Sequence, residues 1–335
     1  MDKPLGPVNK LVAMKIRASI LKYREKLEDK KMILAVSGGP DSLAMLLAAQ
    51  NVGLNIKKKF IVANFSHGLR PKEDESERIL VKNIAENFGF SFTSGSGEVL
   101  ANEASAREAR YNFLGKVALE NDASAILTAH TRNDQAETVL LRLIRGTGLK
   151  GIRSIREISS RKIYGNEIYL LRPMLEVTRD QTEAICNEFN IQPARDKSNE
   201  SLRYSRNRVR LKVIPELIKV NSQAQSALAS FAERAASDNQ LLEDLALEAV
   251  AGFESRHKFS IEWDKKQLRQ IPEPLLVRIL ENSWRQLTED GSTLGSKKLQ
   301  QMTRVIHSSG EVYLGKAGKL QTTETNKVIM KITKP

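Results

Sequence analysis

Residues 31–49 read Lys-Met-Ile-Leu-Ala-Val-Ser-Gly-Gly-Pro-Asp-Ser-Leu-Ala-Met-Leu-Leu-Ala-Ala. Residues 32–36 form a short apolar run between a lysine pair and a glycine pair, which predicts a buried strand. Residues 43–49 are apolar throughout and predict a helix. A strand, a glycine turn and a helix in succession build an anion site. Glycine lets the backbone approach a ligand and take positive φ, and the first amides of the helix are unpaired. Ser42 is placed to cap that helix, with Ser37 and Asp41 adding a hydroxyl and a carboxylate beside the turn. The stretch thus reads as a phosphate loop in which Ser37, Gly38, Gly39, Pro40, Asp41 and Ser42 surround a phosphate group, with Asp41 free to hold Mg2+. A chance glycine turn is the competing reading.

Neither the G-x-x-x-x-G-K-[ST] signature nor the dinucleotide G-x-G-x-x-G spacing is present. Ser-Gly-Gly-x-Asp-Ser after a strand instead resembles the pyrophosphate loop of the adenylating ATP pyrophosphatases. Those enzymes grip the β,γ-pyrophosphate and leave the α-phosphate open to attack.

The chain has 335 residues, 41% of them hydrophobic and 28% charged, which predicts a globular protein of about two domains. No apolar run approaches the ~20 residues of a membrane helix, and the charged first 30 residues do not read as a signal peptide. A cytoplasmic, non-membrane protein is expected. Cys186 is the one cysteine, so intrachain disulfides and cysteine-cluster metal sites are excluded. The net charge of +13 favours a polyanionic partner such as nucleic acid.

Along the chain, strands are expected at 32–36, 59–65, 90–93 and 125–129, alternating with helices at 43–49, 74–88, 103–120 and 138–144. That rhythm predicts an α/β fold, a doubly wound parallel sheet with helices on both faces. Ligands then sit at the carboxyl ends of the strands, where the segments 37–42, 67–70 and 130–137 all fall. From residue 221 the chain turns alanine- and leucine-rich, then shows two further helices and short strands near 312–315 and 327–332. The expected division is 1–220, a nucleotide-binding catalytic domain, and 221–335, a smaller α+β accessory domain.

Three further segments carry chemistry. In Asn64-Phe-Ser-His-Gly-Leu-Arg70, Gly68 permits a tight turn and His67 and Arg70 point toward the strand ends, unless the segment is a plain surface turn. In Thr128-Ala-His-Thr-Arg-Asn-Asp-Gln-Ala-Glu-Thr138, His130 ends a strand, and Asp134 and Glu137 share one face of a helix. Two carboxylates beside a phosphate loop can bind magnesium or a cationic substrate group, or merely complement the helix dipole. Residues 196–212 contain six basic side chains, Lys197, Arg203, Arg206, Arg208, Arg210 and Lys212, against two acidic ones, with Tyr204 interleaved. Such a stretch can follow a phosphate backbone or be a solvated helix face.

The segments 37–42, 67–70, Glu103-Ala-Ser-Ala-Arg-Glu-Ala-Arg-Tyr111, 130–138 with Arg145-Gly-Thr-Gly148, Leu171-Arg-Pro-Met-Leu175, and Asp196-Lys-Ser-Asn199 with Arg206-Asn-Arg-Val-Arg210 occur in one order. In that order they resemble the tRNA(Ile)-lysidine synthetases, over about residues 28–220. Two positions depart from the family pattern. Where it commonly has His-His-x-Asp-Asp-Gln, this chain has His130-Thr131-Arg132-Asn133-Asp134-Gln135.

The resemblance implies an adenine nucleotide alpha hydrolase-like fold and ligation of free L-lysine to C2 of the wobble cytidine of tRNA(Ile), driven by ATP with Mg2+. It implies nucleotide binding by residues 37–42 and His67, catalytic roles for Asp41, His130, Asp134, Glu137 and Arg110, and RNA or lysine contacts by Arg70, Arg203, Arg206, Arg208 and Arg210. A homodimer is compatible with it. Three alternatives stand beside it: a tRNA thiolase sharing the loop, an amidating enzyme acting on a small metabolite, and an RNA-binding module with a vestigial loop.

Overall fold

The computed structural model describes residues 6–68, 71–97, 103–152, 154–194, 201–288, 293–315 and 318–332. Arg70 and the 196–199 segment lie outside the described residues. A six-stranded sheet is formed by β1 (Lys31–Ala35), β2 (Phe60–Ser66), β3 (Ser91–Ser96), β4 (Ala123–Leu127), β5 (Ile158–Ile163) and β6 (Asn166–Leu171). Its order is β3-β2-β1-β4-β6-β5, parallel except for the edge strand β5, which runs antiparallel to β6.

Alternation along the strands shows why both faces are covered. Met32 and Leu34 of β1 enter one apolar cluster and Ile33 enters another. In β4, Ala125 and Leu127 join the first cluster and Ile126 the second. The first face is packed by the helices Pro7–Lys22, Pro40–Ala49, Pro71–Asn87 and Arg179–Glu188, through side chains such as Ile16, Leu46, Val81 and Ile185. The second is packed by the Glu103–Glu120 helix through Tyr111 and Leu114. A parallel strand buried on both sides must read as a continuous apolar run, which is how β1, β2 and β4 read.

The expected parallel sheet is therefore present, with two additions, the opening helix Pro7–Lys22 and the β5–β6 hairpin. The helix Arg132–Ile144 carries Asp134 and Glu137 in its first turns, as expected. Among the described residues no helix is long and apolar enough to cross a membrane.

The chain divides into two compact units between Glu233 and Arg234, inside the helix Ala224–Val250. In the second unit β7 (Glu254–His257), β8 (Ser260–Asp264), β9 (Glu311–Tyr313), β10 (Gly318–Thr322) and β11 (Lys327–Ile332) form an antiparallel sheet, ordered β7-β8-β11-β10-β9. The helices Glu273–Thr288 and Ser296–His307 share its core, where Trp263, Leu280, Met302 and Met330 are buried. This unit is α+β, the class expected for the C-terminal part of the chain.

Candidate active site

Strand order reverses between β1 and β4, so the loops that follow them open onto one crevice, the switch point at which open α/β sheets bind ligands. A cavity of about 260 Å³ lies there. Ser37, Gly39, Pro40, Asp41 and Ser42 line it from the first loop and Thr128, Ala129, His130 and Asp134 from the second, with Phe65, Arg110, Leu114, Arg179 and Arg210 completing the wall.

The helix after β1 begins at Pro40, with Gly39 in extended conformation as its N-cap. Proline suits the first helical position because its missing N–H would be unpaired there anyway. Ser42 is thus in the first turn and not the cap. Its hydroxyl accepts from the Ser37 N–H at 3.2 Å and donates to the Gly39 carbonyl at 2.9 Å, bracing the loop from inside. Gly38 has φ +91°, and a Cβ there would meet Glu77 Cβ at 3.3 Å. Only glycine fits that position.

Asp41 Oδ1 accepts from the Thr182 hydroxyl at 2.6 Å. Burial raises the Asp41 pKa, the Thr182 hydrogen bond opposes the rise, and the Asp134 charge adds to it. Behind it, the Cys186 sulfur lies 3.6 Å from the Pro40 carbonyl. Burial, then the Asp41 charge, pushes that thiol up to about 12, so it packs and does not react.

Across the crevice, Thr128 Oγ1 lies 2.9 Å from His130 Nδ1. Burial drives the His130 pKa well below the usual imidazole range, against the opposing charge of Asp134, and the ring is neutral. Thr131 caps the next helix, and Asp134 Oδ2 reaches back to accept from the Thr131 N–H at 2.9 Å and its hydroxyl at 3.1 Å. Asn133 Oδ1 accepts from the Arg179 N–H at 3.0 Å. The two departures from the family pattern therefore fill backbone-capping positions. Gln135 pairs with both backbone groups of Ile155, at 3.1 and 2.5 Å, and pins the segment before β5.

The two carboxylates of this helix face two arginines. Arg206 donates from Nη2 to Asp134 Oδ1 at 2.6 Å and from Nε to Glu137 Oε2 at 2.7 Å. Arg210 donates from Nε to Glu137 Oε1 at 2.6 Å and from Nη2 to Oε2 at 3.1 Å. Glu137 is 1% exposed. Burial alone would raise the Asp134 pKa, but Arg206 and then His130 hold it below the usual carboxylate range. Both arginines come from one helical run, Ser205–Arg208 followed by a π turn at Val209–Val213 and the helix Ile214–Val220.

The basic stretch thus splits by direction. Arg206 and Arg210 turn inward, whereas Arg203, Arg208 and Tyr204 are exposed, Arg208 bonding the Leu202 carbonyl at 2.7 Å. His67 packs edge-on against Phe65, ring centroids 5.1 Å apart, and Phe65 lines the cavity in its place.

Arg110 belongs to a cationic group around the buried Tyr111. The guanidiniums of Arg107, Arg110 and Arg161 lie 5.0, 5.4 and 4.9 Å from the ring centre. Burial lowers the Arg110 pKa, as it does that of Arg172. Arg172 is buried, and its Nε finds no hydrogen-bond partner.

A PP-loop domain family matches residues 12–217, more than half of the chain. A tRNA(Ile)-lysidine synthase of Synechococcus sp. is 32% identical over 288 residues, covering 85% of each chain. The chain belongs to the tRNA(Ile)-lysidine synthase family. The family's member from Nostoc sp. is 37% identical over 220 residues, 65% of this chain and 63% of that one. The member from Thermus thermophilus is 40% identical over 236 residues, 66% and 43%. The chain spans about 60% of the length of the first curated relatives it matches, 63% for Nostoc and 58% for Geobacillus kaustophilus. Among solved structures, the U34-tRNA thiolase NcsA from Methanococcus maripaludis superposes with a TM-score of 0.49 at 15% identity, covering 67% of this chain and 80% of that one.

Sequence reasoning gave no role to Thr182, Arg179, Arg172 or Gln135. Arg172 and Gln135 stand in segments that carry the family resemblance, whereas Thr182 and Arg179 stand in none. Thr182 reaches Asp41 only because the Arg179–Glu188 helix packs beside the Pro40–Ala49 helix.

Proposed function

We propose that the chain ligates lysine to the wobble cytidine of tRNA(Ile) with a CAU anticodon. The cytosine C2 oxygen attacks the α-phosphorus of ATP and pyrophosphate leaves. The lysine ε-amine then attacks C2, loses a proton, and displaces AMP. The observation that carries this reading is the meeting, in one cavity, of the Ser37–Ser42 loop with the His130 and Asp134 wall.

The loop amides and the Pro40 helix start suit the departing pyrophosphate. Among the described residues no cluster of three or more His, Cys, Asp or Glu could hold a metal. The hard carboxylate of Asp41, half-buried and bonded by a single hydroxyl, fits a cation that completes its coordination with phosphate oxygens and water, as Mg2+ does. When bound, Mg2+ would neutralise charge on the leaving pyrophosphate. Neutral His130, its pKa held well below the usual range by burial, is suited to hydrogen-bond a substrate atom in the cleft rather than to take its proton. Asp134 and Glu137, paired in this structure with Arg206 and Arg210, are the carboxylates that would receive a lysine ammonium, whose pKa of about 10.4 requires a base before attack. Arg110 and its neighbours suit a phosphate of the nucleotide or the RNA, and the exposed Arg203, Arg208 and Tyr204 suit the anticodon loop, from which a base is splayed cheaply. The second unit would contribute tRNA contacts.

The test is incubation with ATP, labelled lysine and a tRNA(Ile) transcript. ATP-dependent label in RNA with stoichiometric AMP is expected, and no label sinks the reading. A sulfur-transferring reading is disfavoured because the single cysteine is buried and its thiol is held protonated.

A further inference from the structure

Asp134 and Glu137 present four carboxylate oxygens, and each already has a donor. Thr131 holds Asp134 Oδ2, Arg206 holds Asp134 Oδ1, Arg210 holds Glu137 Oε1, and both arginines hold Glu137 Oε2. Two guanidiniums against two carboxylates leave no net charge. An ammonium entering this wall would find one vacant lone pair on each of Asp134 Oδ1 and Glu137 Oε1, both already held by a guanidinium, and would add a third cation beside two.

The arginines are not fixed as tightly as the acids. Their side chains are 31% and 26% exposed, against 1% for Glu137. Arg210 stands inside the π turn at Val209–Val213, an irregular helical geometry that often accompanies functional sites. The same run shows Arg208 to solvent, with Arg203 and Tyr204 just ahead of it. A polyanion meeting that outer face is therefore within one helical turn of the arginines on the inner one.

We propose that Arg206 and Arg210 are surrogate occupants of the amine subsite, and that RNA phosphate bound along residues 203–210 draws them off so that the lysine ammonium takes their place. The proposal rests on the lysine-ligation reading above. Carboxylate is exchanged for phosphate at each guanidinium, with no covalent step. One ammonium replaces two guanidiniums, so one of the two acids is left without a cation, and it is the one placed to take the proton that the amine must lose before it attacks. Lysine then binds well only after RNA. Arg206 and Arg210 act in this as positioning residues.

Equilibrium dialysis of labelled L-lysine against the full chain tests this, with no addition, with a non-hydrolysable ATP analogue, with tRNA(Ile) transcript, and with both. RNA is expected to tighten lysine binding by about tenfold or more, within the usual range of coupling between two ligands. Arg206→Gln is expected to bind lysine without RNA more tightly than wild type does and to lose most of the RNA effect. If circular dichroism shows that variant unfolded, Arg206→Lys replaces it, with a smaller gain expected because lysine lacks the two-pronged grip. Lysine affinity in wild type that is unchanged by RNA, or raised equally by the ATP analogue alone, overturns the proposal. Transfer of labelled lysine to tRNA is measured in parallel. Transfer with RNA-independent lysine binding removes the gate alone, whereas no transfer removes the ligation reading beneath it.

Discussion

Thr182 and Asp41 stand 141 positions apart, and the hydroxyl of the first donates to the carboxylate of the second at 2.6 Å. Thr182 is fully buried, and the same hydroxyl also reaches the Arg179 carbonyl at 2.8 Å. Thr182→Val keeps the shape and deletes the donor. The loss should cost about 1–3 kcal/mol in urea unfolding and should lower ATP–pyrophosphate exchange, with Thr182→Ser restoring both. Full exchange in the valine variant would show that Asp41 needs no such support.

For Asp41 itself, stability and activity should move in opposite directions. Its folded pKa is raised, so the ionised carboxylate costs stability at neutral pH, and that cost is relieved as pH falls through the folded value. Asp41→Asn keeps the Oδ1 acceptor and removes the charge. Its melting temperature should equal or exceed that of the wild type, while exchange falls by about 100-fold or more. A lower melting temperature with retained exchange would contradict this.

His130 sets a pH dependence of the opposite sign. Its folded pKa is depressed, so the unfolded chain binds more protons. Stability from this residue is present above the unfolded value of about 6.5 and is lost as pH falls below it. Between pH 6.5 and 4, His130→Gln should show a shallower decline in unfolding free energy than wild type. Parallel declines would refute the assignment.

Glu137→Gln leaves Arg206 and Arg210 with Asp134 as the only carboxylate of the original pair. Removing one member of a buried ion pair costs about 3–5 kcal/mol, and the partial exposure of both arginines puts the expectation at the lower end. The denaturant midpoint should fall with an unchanged slope, and lysine transfer should cease. A midpoint within error of wild type would mean that solvent already screens the quartet.

Gly38→Ala should be costly although alanine is small. Its φ of +91° and a Cβ 3.3 Å from Glu77 Cβ combine strain with crowding. A loss of about 1–3 kcal/mol, together with weakened nucleotide binding, is expected from calorimetry. Gly39→Ala meets only Ser37 Oγ at 3.8 Å and should fold normally.

Much of the first unit was legible because its strands are buried on both faces and announce themselves as apolar runs. β1, β2 and β4 begin or end within two residues of the expected positions. The β5–β6 hairpin was not, because Ser159, Ser160, Arg161 and Lys162 give an edge strand no apolar period. The phosphate loop and the Asp134–Glu137 pair could be read because their spacing is local. What Arg206 and Arg210 do could not, since a basic helix looks the same whether it turns toward solvent or toward two acids. Ser42 was misread as a cap because Pro40 starts the helix two residues earlier.

Thr131 and Asn133 differ in type from the family pattern, yet both make local supporting bonds, Thr131 donating its N–H and hydroxyl to Asp134 Oδ2 and Asn133 Oδ1 accepting from the Arg179 N–H. An aspartate at 133 could offer the same acceptor oxygen to Arg179. Asparagine offers it without a formal charge, beside a crevice that Asp41 and Asp134 already line and that is expected to admit a polyanion. The substitution therefore keeps the scaffold and lightens the electrostatic load of the cleft by one unit. A search that demands the charged residue at that position would pass over chains in which a neutral one does the same structural work.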